Sequence, residues 1–124
     1  LTDRLRKIAA AENVSLFAVL LSAYQLLLER WSGASDLVVA SPIANRRTKE
    51  SAELIGFFLS TIPFRWRSSD DSSFREAIRI TGDAAVRAIE HQDPPFDRIV
   101  EAVRPPRVAG RHPLCQTMFV YQRE

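Results

Sequence analysis

The chain has 124 residues, 46% of them hydrophobic and 26% charged, with a net charge of +2. That suits one small globular domain or part of a larger one, able to bury roughly two thirds of the surface its unfolded form exposes. Acids and bases are interleaved, so no basic face for nucleic acid is built. A single cysteine, Cys115, excludes an internal disulfide and fits a reducing, cytoplasmic compartment. The opening LTDRLRK is charged and has none of the apolar core of a signal peptide. The only methionine is Met118, which points to a piece of a longer polypeptide.

The first predicted element is a helix from Leu1 to Asn13, with Thr2 or Asp3 as its cap and Leu5, Ile8 and Ala9 on one face. Ser15 caps a second helix that Gly33 ends. From Leu16 to Leu28 this helix is apolar nearly all round, broken only by Ser22 and Gln25. A membrane span needs about 20 apolar residues, and this run is shorter and ends in Glu29-Arg30, so it reads as a centrally buried helix.

Leu37 to Ala40 reads as a buried strand closed by Ser41-Pro42, followed by a basic loop from Ile43 to Ser51. Phe57 to Arg67 reads as a second strand, with Pro63 implying an edge position or a bulge. Phe57, Phe58, Ile62, Phe64 and Trp66 are expected to crowd both of its sides. Ser73 and Glu76 form a capping box for a third helix, whose face is Phe74, Ile78, Thr81, Ala85 and Ile89. Gly82 weakens that helix by about 1 kcal/mol relative to alanine.

The stretch HQDPPFDRIVEAV, His91 to Val103, follows. With Pro94 or Pro95 in the first turn, Asp93 is the natural N-cap of a fourth helix, and Asp97 sits near its positive end. Ile99, Val100 and Val103 supply its buried face, and Arg104-Pro105-Pro106 stops it. Thr117 to Tyr121 reads as a last strand. The order helix, helix, strand, strand, helix, helix, strand predicts an α/β unit of two layers, helices on a sheet. One cysteine and two distant histidines make no metal-ligand set, and no glycine-rich phosphate loop is present.

Three motifs then stand in series. HQDPPFDRIVEAV resembles the HQDLPFEKLVE-type motif of condensation domains in nonribosomal peptide synthetases. IGFFLSTIPFR, Ile55 to Arg65, resembles the IGFFVNTLxxR-type motif that precedes it, and RVAGRHPLCQTMF, Arg107 to Phe119, the RDxSRxPLFQVMF-type motif that follows. Departures are Pro94 for leucine or valine, Asp97 for glutamate, Ser60 for asparagine, Val108 for aspartate, Gly110 for serine and Cys115 for phenylalanine. Of these, Ser60 and Val108 each remove a polar group.

The resemblance implies half of a chloramphenicol-acetyltransferase-like fold, the C-terminal lobe of a V-shaped two-lobe domain. The family's chemistry rests on an HHxxxDG motif, whereas this chain has only His91 and His112. The expectation is therefore a lobe with no catalytic residue of its own, inactive alone, forming one wall of a tunnel. Ser60, Arg65, His91, Gln92, Asp93, Arg107, Arg111 and Gln116 are the tunnel or lobe-interface residues it implies. The implied partners are the N-terminal lobe, peptidyl carrier proteins and an adjacent adenylation domain. Substrates would ride on carrier phosphopantetheine, with no cofactor bound directly and no nucleic acid or membrane involved. Asn45-Arg46-Arg47 reads as a solvated loop, with contact to a carrier protein's acidic helix as the alternative, His112 is a loop residue, and Cys115 is a small packing residue with nothing near it to lower its pKa. A non-catalytic docking module, or the same lobe of an epimerisation or heterocyclisation domain, are the alternatives.

Overall fold

The computed structural model describes residues 1–44, 55–56, 59–67 and 73–122. The expected order of elements holds: α1 (Thr2–Ala11), α2 (Leu16–Ser32), β1 (Asp36–Ala44), β2 (Leu59–Arg67), α3 (Phe74–Glu90), α4 (Phe96–Val103) and β3 (Thr117–Met118). The 45–47 loop, Phe57 and Phe58 lie outside the described residues.

Leu1, not Thr2 or Asp3, occupies the N-cap of α1, and no side chain caps it. Both predicted caps already lie inside the helix, where Asp3 adds negative charge to the first turn. Asn13 leaves the helix at φ 54°, a conformation asparagine adopts more readily than most residues. Ser15 Oγ then accepts the Ala18 N–H at 3.1 Å, and Gly33 ends α2 at φ 70°. The first turns of α2 are sealed, with Ala18, Val19, Leu21, Ser22 and Gln25 nearly without exposure. Its last turns are not, since Leu27 and Trp31 face solvent. No single helix among the described residues is long and apolar enough to cross a membrane.

The sheet order is β2-β1-β3. β1 and β2 pair antiparallel in unbroken register from Asp36↔Arg67 to Ala44↔Leu59. β3 lies parallel to β1, through Val39↔Thr117 and Ala40↔Met118, and stops short of the expected Tyr121. Pro63 sits on an edge strand without a bulge, one of the two ways the sequence allows. β1 runs on through Ser41-Pro42 instead of closing there. β3 reaches no farther than Ala40, so beyond it no described strand takes up that flank of β1, and a residue lacking an N–H is tolerated.

Ile62, Phe64 and Trp66 alternate along β2, so all three lie on one face; the crowding of the other face expected with Phe57 and Phe58 lies outside the described residues. They meet α2 and α3 in a core of Leu21, Val39, Ile62, Phe64 and Ala85. Phe17 wedges between Phe64 and Phe119, with ring centroids 5.5 and 5.6 Å away. Each large side chain so buried stabilises the fold by about 1.5–3 kcal/mol. The Trp66 indole N–H donates to Glu29 Oε2 at 2.8 Å, which satisfies the polar edge of a buried ring.

Ser73 Oγ accepts the Glu76 N–H at 3.3 Å and starts α3 as expected. Ile78, Thr81 and Ala85 are buried, while Phe74 and Ile89 at the helix ends are exposed. The two polar residues that interrupt α2 point at α3. Ser22 Oγ donates to Ala18 O at 2.8 Å and reaches Ala77 O at 3.3 Å, and Thr81 Oγ1 donates to Gln25 Oε1 at 3.1 Å. Glu12, just past α1, has a side chain only 2% exposed and holds Arg75 and Arg79 of α3, each at 2.7 Å.

The entrance of α4 differs from expectation. Pro95 is its N-cap, with no side-chain cap bond, so Asp93 does not cap it. The HQD triplet belongs instead to the exit of α3. His91 is the C-cap there; its backbone N–H donates to Arg87 O at 3.1 Å, and its Nδ1 lies 2.9 Å from the same oxygen. Arg104 ends α4 at φ 48°. Ile99 and Val100 are half-buried and Val103 is exposed, so the expected buried face of α4 is only partly covered.

Gly82 is where α3 comes nearest the turn before α2. A Cβ built there would lie 2.5 Å from Val14 Cγ1 and 3.2 Å from Val14 Cβ, and a β-branched side chain has little freedom to move aside. Gly82→Ala should therefore destabilise the chain by about 1–3 kcal/mol despite alanine's better helix propensity. Urea denaturation should show the midpoint falling for Gly82→Ala and recovering in part when Val14→Ala is added.

Candidate functional site

The second face of the sheet carries Val38, Ala40, Thr61 and Pro63, the residues that alternate with the core-facing row. Over it lie α4 and the segment that leads into β3. Between Phe96, Asp97 and Val100 on α4 and Arg107, Arg111 and His112 on that segment runs a groove of about 580 Å³. A second hollow of about 230 Å³ adjoins it, sharing Phe96 and His112 and continuing over Ala40, Thr61, Cys115 and Gln116. A third, of about 120 Å³, shares Thr61 and is lined by Pro63, Ala88, His91, Gln92 and Ile99.

The expected site residues divide accordingly. Arg107 and Arg111 face one groove, Gln116 its neighbour, and His91 and Gln92 the small cavity beside it. Asp93 is exposed and lines none of the three. Ser60 pairs with Ile43 on the core-facing row of β2. Arg65 forks onto Asp36, with Nε to Oδ1 at 2.8 Å and a terminal nitrogen to Oδ2 at 2.6 Å. Arg67 adds a bond to the same carboxylate at 3.1 Å, so these three residues fasten the ends of β1 and β2.

Phe96 and His112 were not among the expected site residues. Their rings lie 5.3 Å apart and line both the groove and the hollow that adjoins it. Cys115 is buried, as expected of a packing residue, and burial pushes its thiol pKa up. It is held as the thiol, not a poised nucleophile. Among the described residues, no three His, Cys, Asp or Glu gather as a metal site. The groove therefore offers arginine donors over an apolar floor of Phe96, Val100 and Pro113. Such a surface can orient an extended ligand with acceptor oxygens.

The Arg65 hydrogen bond, with a further one from Arg67, lowers the Asp36 pKa from 3.8 to about 2 against an opposing effect of burial. A depressed carboxylate stabilises the fold at pH values above its unfolded pKa, and that contribution is lost as pH falls through the folded one. The Asp36 side chain is 43% exposed, so solvent screening keeps its worth within about 1 kcal/mol. Stability should fall less steeply in Asp36→Asn than in the wild type as pH drops from 3.8 to about 2, with the wild-type advantage gone at the acid end. Chemical denaturation across that window checks it.

Comparison with known proteins places this geometry. The family model described as Condensation domain matches residues 1–124. Chondramide synthase cmdD of Chondromyces crocatus is 42% identical over 122 residues, covering 98% of this chain and 3% of that protein. Tyrocidine synthase 2 of Brevibacillus parabrevis is 37% identical over 124 residues, all of this chain and 4% of that protein. Among solved structures, a four-domain nonribosomal peptide synthetase bound to AMP and glycine superposes with a TM-score of 0.91 at 29% identity, over 97% of this chain and 9% of that one. The condensation domain from the Monacolin K polyketide synthase MokA gives 0.83 at 25% identity, over 93% of this chain and 27% of that one. A complex of the X-domain and OxyB from teicoplanin biosynthesis gives 0.84 at 28% identity, over 93% of this chain and 25% of that one. The helix-on-sheet unit described above is thus the α/β fold of condensation-domain structures, and the chain spans 3–4% of the curated relatives named here. This chain belongs to the condensation-domain family and is a fragment of such a domain, similar to those of nonribosomal peptide synthetases.

Proposed function

We propose that the chain is the C-terminal-lobe part of a condensation domain and forms one wall of the channel in which an amide bond is made. In that reaction the amine of an acceptor aminoacyl thioester attacks a donor acyl or peptidyl thioester. The C–N bond forms, the C–S bond breaks, and the donor carrier's thiol leaves. Both substrates arrive on the phosphopantetheine arms of carrier proteins. The observation that carries this reading is the meeting of Arg107, Arg111 and Gln116 in adjoining hollows on the face of the sheet that the core helices leave open. An apolar floor with arginine at its rim suits an arm that ends in amides and a thioester. The missing partners are an N-terminal lobe bearing the catalytic histidine, carrier proteins, and an adjacent adenylation domain, all in the cytoplasm.

A second reading has one observation in its favour. The X-domain from teicoplanin biosynthesis, solved as a complex with OxyB, shares this fold. On that reading the lobe is a docking platform, and the open face receives a protein rather than a pantetheine arm.

The purified chain, incubated with loaded donor and acceptor carrier proteins, should form no dipeptidyl thioester above the rate without enzyme. Adding the N-terminal lobe in trans should restore product. Product from the chain alone would overturn the half-site reading. Carrier or partner binding with no product even when the lobes are combined would favour the docking module.

A further inference from the structure

Sequence alone leaves His112 as a loop residue, yet it lines both the groove and the hollow that adjoins it. Its Nδ1 accepts the Cys115 N–H at 3.4 Å and lies 3.5 Å from Cys115 Sγ. Its carbonyl accepts from Gln116 Nε2 at 2.6 Å. Its ring lies against Phe96, 5.3 Å between centroids. These attachments bind one residue to the chain entering β3 and to α4. Because a backbone N–H can only donate, Nδ1 can only accept, which places the ring proton on Nε2. A side chain taking the N–H three residues on is the device by which Asn, Asp and Ser hold turns. From His112 the chain runs directly back through Arg111 to Arg107, the two arginines that rim the groove.

We infer that His112 is a positioning residue for the proposed acyl-transfer site. Its ring acceptor pins the turn into β3 and, through that turn, sets Arg111 and the groove wall. The inference rests on the proposed function for what the groove does, but not for how the turn is held. Its proposed role is exerted through its neighbours. What the position needs is an acceptor where Nδ1 stands, not an imidazole. Asparagine presents an oxygen at nearly that place. Phenylalanine keeps a ring against Phe96 with no acceptor, and alanine has neither.

The test uses the intact synthetase and two readouts: hydrogen–deuterium exchange of the Cys115 amide, and KM for the carrier-bound acceptor. His112→Ala and His112→Phe should speed exchange by about two- to tenfold, the factor one hydrogen bond of ordinary net strength is worth. Both should raise KM in parallel, and His112→Asn should restore both. Wild-type protection in His112→Phe, or a His112→Asn variant as defective as His112→Ala, would overturn the inference. So would lost protection with an unchanged KM. Exchange is read without turnover. A synthetase that makes no amide bond would thus defeat the proposed function, while the protection pattern would still decide whether the Nδ1 acceptor holds the turn.

Discussion

A hydrogen bond sealed between α2 and α3, from Thr81 to Gln25, orders the rest of the molecule. Hydrophobic burial has no direction, and a helix as uniformly apolar as α2 can rotate or slide against its neighbour at little cost. Gln25 limits that freedom. It is buried at 1% exposure, and its Oε1 accepts from Thr81 Oγ1 on α3 at 3.1 Å, while the equally buried Ser22 keeps its hydroxyl proton on Ala18 O of its own helix and only approaches Ala77 O. Leaving the Gln25–Thr81 pair unmade would cost about 1–3 kcal/mol, so registers that part it are penalised. Once α3 is placed, Gly82 falls against Val14, and Arg75 and Arg79 fall beside the buried Glu12. The C-terminal end of α3 then delivers His91 to the second face of the sheet.

Much of this was legible from local patterns. Ser15, Gly33 and Ser73 cap as their types predict, and the element order follows from periodicity. One failure is local: Asp93 as N-cap would need Pro94 in helical conformation, which the proline after it disfavours, and the cap falls on Pro95. The others share a cause, which is that tertiary partners were invisible. Pro42 reads as a strand end unless one knows that β3 leaves its flank open. Gly82 reads as a weakness until Val14 is seen beside it. Nothing local marks Glu12 as buried, because its two arginines come from α3.

The candidate site was half legible. The motifs point to Arg107, Arg111 and Gln116, and these meet. They say nothing of Phe96, which joins them across α4, or of His112, whose importance lies in bonds to the backbone that residue types do not announce. Arg65 shows the converse. It stands in a motif, and its guanidinium is taken up by Asp36 across the strand pair, where it links strand ends rather than facing a hollow.

The parallel pairing of β3 with β1 has a consequence in time. The β1–β2 pair forms within a short span of chain, whereas Val39 must wait for Thr117, with most of the chain threaded between them. Contacts of such separation bear the loop-closure entropy before anything rewards it, so they form late. The third strand reaches only two residues, too few to hold by ladder bonds alone, and its anchor is Phe119 set among Phe17 and Tyr24. During synthesis the groove would therefore close after the helical core beneath it. A ribosome that has delivered α4 but not Phe119 displays a folded helical core over an unfinished sheet, a state that chaperones are suited to recognise.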